Sequence, residues 1–236
     1  MIDKYQLQTE AAALGVELSD AQLEQFDRLA QALVTQNQVM NLTAITEPAE
    51  IVTKHFADSL TVAAALPLPT GAAVLDLGTG AGFPGLPLLI LRPDLQMTLL
   101  DSTAKKLTYA AATAEALGLT VQTLHQRAEV AGRDPAYRAD FDLVCSRAVA
   151  ALPVLCEYAL PLLRIGGCLA AMKSVRAEEE LAQAAAAIRI LGGKVRDIKT
   201  YTLADGSSRT ILLIEKTSQT PTNYPRPGTQ IAKKPL

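Results

Sequence analysis

The chain has 236 residues, 49% hydrophobic and 19% charged, with a formal net charge of −2, which is the ordinary composition of a globular domain with a proper core. No stretch reaches ~18 uninterrupted apolar residues. The opening Met1-Ile2-Asp3-Lys4-Tyr5-Gln6 lacks a signal-peptide core, so a cytoplasmic protein with no membrane span is expected.

Residues 1–68 read as a helical extension packed on the α/β core. Ser19-Asp20 offers an N-cap, and Leu23, Phe26, Leu29, Leu33 and Val34 then recur at helical spacing. A further helix comes after Glu47-Pro48, with Ile51, Val52, Phe56, Leu60 and Val62 on its buried side. Residues 69–216 alternate strands with helices, which implies a parallel sheet covered on both faces. The predicted strands are 73–77, 96–101, 120–125, 141–146 and 168–173. The predicted helices are 84–91, 104–117, a short one near Glu129, 152–163 and 177–191. Segments 194–202 and 209–216 pair as a closing hairpin around Asp205-Gly206. Residues 217–236 form a basic tail without periodicity. Cys145, Cys156 and Cys168 show no C-x-x-C pairing and read as buried small hydrophobes, so no metal is expected.

The pattern centres on Val74-Leu75-Asp76-Leu77-Gly78-Thr79-Gly80-Ala81-Gly82-Phe83-Pro84-Gly85. An apolar strand reaches an acid, glycines come next on alternate positions, and a proline opens an apolar helix. Glycine permits positive φ and close approach of a ligand, and Pro84 suits a first helical turn. The free N–H groups of such a helix start suit an electron-rich ligand edge. Gly80–Gly85 satisfies G-x-G-x-x-G, which leaves a dinucleotide-binding oxidoreductase as an alternative. The fuller Asp76-x-Gly78-x-Gly80-x-Gly82 resembles the first motif of class I S-adenosylmethionine-dependent methyltransferases. Charge favours the methyl donor: Asp76 repels a pyrophosphate but welcomes a sulfonium and an ammonium.

Asp101 ends the second strand, where an acid accepts hydrogen bonds from ribose hydroxyls; it also suits the N-cap of the next helix. Ser102 and Thr103 lie next along the cofactor's path. Ala128 and Glu129, after the third strand, are assigned to the adenine amine, and His125 to a strand end with a local partner, a catalytic histidine being the alternative. Ser146 and Arg147, after the fourth strand, border the reactive centre; the alternative for Arg147 is an ion pair with Asp142 or Glu157.

Taken together, Asn41-Leu42-Thr43-Ala44-Ile45, His55-Phe56-Ala57-Asp58-Ser59-Leu60, residues 76–87, Ser146-Arg147-Ala148, Tyr224-Pro225-Arg226 and Lys233-Lys234-Pro235-Leu236 resemble one family. It is the bacterial 16S rRNA guanine-N7 methyltransferase family, RsmG, formerly glucose-inhibited division protein B. The match covers nearly the whole chain and departs at Pro227, where the family usually has a second arginine after Tyr-Pro-Arg. The resemblance implies an α/β class I methyltransferase (Rossmann-like) fold with a seven-stranded sheet, and S-adenosyl-L-methionine as cofactor. It implies contacts to that cofactor from Gly78, Phe83, Asp101, Ser102, Thr103, Ala128, Glu129 and Arg147, to which the glycine motif itself adds Asp76 and Gly80. The implied reaction is methylation of N7 of a guanosine in the 530 loop of 16S rRNA or the small subunit. Phe83 and Arg147 are expected to position the reactants at the pocket rim, with no acid or base, because N7 carries a free lone pair. Residues 1–118 hold six Lys/Arg against thirteen Asp/Glu and residues 119–236 sixteen against eleven, so the second half would meet a polyanion. Arg226, Lys233 and Lys234 are the tail's RNA-binding candidates; further cations considered are Lys105, Arg127, Arg133, Arg138, Lys173 and Arg176. Nothing in the sequence demands more than a monomer. The remaining alternative is another S-adenosylmethionine enzyme acting on a small molecule or protein.

Overall fold

The computed structural model describes residues 1–174 and 176–236. Helix α1 (Lys4–Ala13) starts at Asp3, whose carboxylate accepts from the Tyr5 and Gln6 amides at 2.9 and 3.2 Å. Helix α2 (Asp20–Met40) begins with a reciprocal capping box between Ser19 and Gln22 and stops at Asn41, which turns left-handed at φ 47°. Asn41 is thus a helix cap. Leu23, Phe26, Leu29 and Leu33 are buried and Val34 partly so. The helix predicted after Glu47-Pro48 consists of three pieces: α3 (Pro48–Ile51), a π-helical stretch Val52–Ala57, and α4 (Asp58–Ala65). Ile51, Val52, Phe56, Leu60 and Val62 are all buried. Apolar periodicity gave no sign of the π stretch, a geometry frequent at functional sites.

Strands and helices alternate from Ala73: β1 (Ala73–Leu77), α5 (Gly85–Leu91), β2 (Gln96–Asp101), α6 (Ala104–Ala116), β3 (Val121–His125), α7 (Ala128–Ala131) and β4 (Phe141–Arg147). Then come α8 (Leu152–Ala159), β5 (Leu163–Lys173), α9 (Ala177–Ile190), β6 (Gly193–Thr202), β7 (Ser208–Lys216) and, in the tail, α10 (Gly228–Lys233). The sheet order is β3-β2-β1-β4-β5-β7-β6, with the first five strands parallel and β7 antiparallel to both its neighbours. This is the seven-stranded fold expected of a class I methyltransferase. The helix predicted over 152–163 ends early, at Ala159, and gives way to a 3₁₀ turn, Leu160–Leu162. Pro161 has no N–H for the Glu157 carbonyl, which stops the α-helical ladder. β5 then begins at Leu163, paired with Phe141, rather than at Cys168.

Alternation along β1 sends Val74 into a core shared with Leu7, Phe26, Leu60, Leu86 and Leu107 of the N-terminal helices, α5 and α6. Leu75 and Leu77 face the other core, built with Leu155 of α8 and Ile188 of α9. The tail is strapped beside this second core. Arg138 donates to the carbonyls of Thr220 and Tyr224 at 2.8 and 2.9 Å, and Arg133 to that of Pro225 at 2.6 Å. The Lys216 ammonium donates to the carbonyls of Leu160 and Leu191 at 2.7 and 2.9 Å, and burial pushes it down to about 7.

Candidate active site

The parallel strands end in loops that meet where β1 and β4 diverge, the switch point at which open α/β sheets take ligands. The loop after β1 is pinned from below. Amides of Gly78 and Thr79 both donate to the Leu100 carbonyl, at 2.8 and 3.0 Å. Oδ2 of Asp76 accepts from the Thr79 hydroxyl at 2.7 Å and from the Gly85 amide at 2.8 Å. Asp76 is fully buried, and burial pushes its carboxyl up to about 6 in spite of those two hydrogen bonds. It therefore braces the glycine loop from beneath and does not line the cavity above it, whereas charge alone predicts that it faces the ligand. Gly80 stands behind the cavity too, its amide donating to Oδ2 of Asp101 at 3.0 Å.

A cavity of about 360 Å³ opens over this loop. Six of the residues predicted for the cofactor line it: Gly78, Asp101, Ser102, Thr103, Ala128 and Glu129. Gly78 sits at φ 73°, and a Cβ there would stand 2.4 Å from Cγ2 of Val149. Asp101 is oriented by the Gly80 amide and, at 2.8 Å, the Thr103 amide, so each oxygen keeps a lone pair for a ligand. Lys106, Gln126, Arg127 and Tyr158 complete the polar lining. Oε1 of Gln126 is buried without a partner among the described residues. His125 meets the Ser102 carbonyl at 3.2 Å and is a strand-end histidine.

A second cavity, of about 650 Å³, adjoins the first and shares Ala148 and Val149 as its wall. Arg147 lines this second cavity and not the first. One terminal nitrogen donates to the Lys54 carbonyl at 3.1 Å and to Oδ2 of Asp58 at 3.0 Å; the other donates to Nδ1 of His55 at 3.2 Å. Nε of Arg209 takes the remaining oxygen of Asp58, also at 3.0 Å. Phe83 lies behind this group, buried, with the Arg147 guanidinium 5.1 Å from its ring centroid and His55 stacked on it at 4.7 Å. Phe83 is thus a floor under Arg147 and lines neither cavity. Arginine has no acceptor, so Nδ1 of His55 must accept and Nε2 carries the proton, donating to Thr43 at 3.0 Å. Burial, and then the Arg147 charge, push His55 down to about 3. The imidazole stays neutral.

Neither ion pair foreseen for Arg147 is present. Asp142 accepts from the Ala73 amide and pairs with Arg164. Glu157 holds Arg226 through the backbone amide at 2.8 Å and the guanidinium at 2.6 to 3.2 Å. Arg226 is therefore committed to the protein interior, and Arg133 and Arg138 to the strap. Lys233 and Lys234 remain exposed. Ser146 is buried beneath the site, its hydroxyl on the Leu77 carbonyl at 3.0 Å.

A family model described as rRNA small subunit methyltransferase G matches residues 22–211. The chain belongs to this family. It is 51% identical over 225 residues to the ribosomal RNA small subunit methyltransferase G of Desulfitobacterium hafniense, covering 94% of this chain and 93% of that one. It is 45% identical over 227 residues to the protein of the same name from Brevibacillus brevis, covering 95% of each. Among solved structures it resembles a TehB-like SAM-dependent methyltransferase from Corynebacterium glutamicum, with a TM-score of 0.53 and 17% identity over 80% of this chain and 99% of that one, a likeness of fold. In this member of the methyltransferase G family, Asp58 and Arg209 are the site residues that sequence reasoning missed. Asp58 lies inside one of the family-like motifs, but its helical neighbour Lys54 pairs with Glu50, so local spacing pointed to neither of the partners Asp58 has. Arg209 offered none, being 151 residues from its partner.

Proposed function

We propose that this member of the methyltransferase G family transfers a methyl group from S-adenosyl-L-methionine to N7 of a guanosine in the 530 loop of 16S rRNA, as a cytoplasmic monomer. The observation that carries the reading is the shared wall: Ala148 and Val149 border both the cavity at Asp101 and the cavity at Arg147. A donor in one cavity and a base in the other come into contact where the two cavities adjoin beside these side chains, and alignment is most of what this reaction asks of a protein.

The residues present fit the cofactor. Asp101 has free lone pairs for ribose hydroxyls, the Gln126 oxygen has no partner among the described residues, and Glu129, which lines the same cavity, offers an acceptor for an adenine amine. Ser102, Thr103 and Ala128 supply the intervening edge, and Gly78 allows close approach. Asp76 and Gly80 act one step back, by holding the loop and Asp101. Bound there, the cofactor supplies a methyl group on a positively charged sulfur, which the N7 lone pair takes without loss of a proton. No general base is required, and His55, hydrogen-bonded at both ring nitrogens, is held neutral and serves to orient Arg147. Residues 1–68 act as an extension that brings Lys54, His55 and Asp58 to the site. In the tail, 217–236, Lys233 and Lys234 provide cations for RNA phosphates.

Small subunits lacking the modification, incubated with labelled S-adenosylmethionine, should acquire label at one guanosine of the 530 loop, recovered as N7-methylguanosine after digestion and mass spectrometry. Label on another nucleotide or on an exocyclic amine would overturn the proposal.

A further inference from the structure

The two cavities differ in charge. Around the first, Lys106 and Arg127 offset Asp101 and Glu129, which suits a cofactor of small net charge. Around the second, Lys54, Arg147, Lys173, Arg176 and Arg209 stand against Asp58 and Glu180, with Lys54 also paired to Glu50 outside the lining, a surplus of two positive charges, since His55 is neutral. Two of these cations are pre-set and keep free donors. Arg209 spends Nε on Asp58 and one terminal N–H on the Ser208 carbonyl at 3.0 Å, which leaves its other terminal nitrogen without a partner among the described residues. Lys173 spends two protons, on the Ala150 carbonyl at 2.7 Å and Glu180 at 2.8 Å, and keeps one among the described residues. The wall toward the first cavity is apolar, made by Ala148 and Val149, and Ala148 is a non-glycine residue held at φ 56°. Such strain gathers where surrounding structure fixes a functional geometry.

We propose that this second cavity receives the nucleotide to be methylated, with its base against the Ala148–Val149 wall and its phosphate gripped by Arg209 and Lys173. Asp58, one carboxylate shared by Arg147 and Arg209, is the positioning residue that fixes both guanidinium groups. This inference rests on the methyl-transfer reading and adds to it a place and a grip for the acceptor. A base extruded from its stack needs a fitted pocket, and its flanking phosphate needs cations that do not have to be ordered on binding.

The test uses the full chain saturated with S-adenosylhomocysteine, titrated with guanosine 5′-monophosphate, in parallel with methylation of unmodified small subunits. Arg209→Gln and Lys173→Gln should leave affinity for S-adenosylhomocysteine within about twofold. They should weaken guanosine 5′-monophosphate at least tenfold and raise KM for subunits by a similar factor, while Arg209→Lys recovers most of the loss. Should either glutamine variant fail to fold, Arg176→Gln, at an exposed position, carries the test and should raise KM severalfold. Guanosine 5′-monophosphate binding equally well to wild type and variants, or KM unchanged in all of them, overturns the assignment. If the mononucleotide binds and Arg209→Gln abolishes it while subunits take no label, the cavity stands and the rRNA reaction falls; labelled subunits with unchanged KM in every variant give the reverse.

Discussion

Glu157 and Arg226 form a closed pair beside the first cavity: both carboxylate oxygens are engaged, the acid is fully buried, and the arginine side chain is 13% exposed. The tail's most conspicuous cation is thereby structural. Arg226→Ala leaves a buried carboxylate unpaired and should cost about 3–5 kcal/mol of stability. Lys233→Ala with Lys234→Ala should move stability by no more than about 0.5 kcal/mol each while weakening RNA binding and flattening its salt dependence. Chemical denaturation and filter binding across a salt series separate the two effects. An Arg226→Ala protein as stable as wild type would show that the pair contributes nothing.

Gly78 sits at positive φ with Val149 over it, so a side chain there is both strained and obstructed. Gly78→Val should abolish detectable binding of S-adenosylmethionine in calorimetry while thermal unfolding stays cooperative. Retained affinity would remove this loop from the cofactor site.

Asp101→Ala removes the acceptor that Gly80 and Thr103 hold in place. With two charge-assisted hydrogen bonds at about 1.5–3 kcal/mol each, affinity for the cofactor should fall by about a hundredfold or more. An unaltered Kd by calorimetry would refute the ribose contact.

His55 gives a pH prediction. Its imidazole ordinarily titrates near 6.5 and in the folded protein only near about 3, so between those values the unfolded chain binds the extra proton. Stability from this group is complete above about pH 6.5 and is lost as pH falls toward 3, with a slope of up to about 1.4 kcal/mol per pH unit. Asp76, raised to about 6, works in the opposite sense between about 4 and 6, so wild type alone shows a blunted profile. The difference in unfolding free energy between wild type and His55→Gln should therefore rise with pH from about 3 to 6.5 and then level off. A difference independent of pH would mean that His55 is not held neutral.

Much of the sheet was legible because strand alternation, glycine punctuation and the acids closing β1 and β2 are local signals. The first cavity was legible through them, since Asp101, Ser102 and Thr103 occupy consecutive positions at one strand end and Ala128 and Glu129 adjacent ones at the next. What escaped was set by partners remote in sequence. Asp58 lies 89 residues from Arg147 and 151 from Arg209, and Glu157 lies 69 from Arg226. Composition marks Arg226 as a basic tail residue, and only packing makes it an interior one. The π stretch escaped for a different reason: Ile51, Val52, Phe56, Leu60 and Val62 satisfy α spacing well enough that one wider turn leaves no trace in their order.

The strap by which Arg133, Arg138 and Glu157 hold residues 220–226 ties that segment to side chains synthesised well before it. Until that segment leaves the ribosome, Glu157 has no counter-charge and the core beside α8 stays uncovered. A stop codon just after Lys216 would therefore act as a folding lesion in the core beside α8, even though every residue around both cavities would already have been translated.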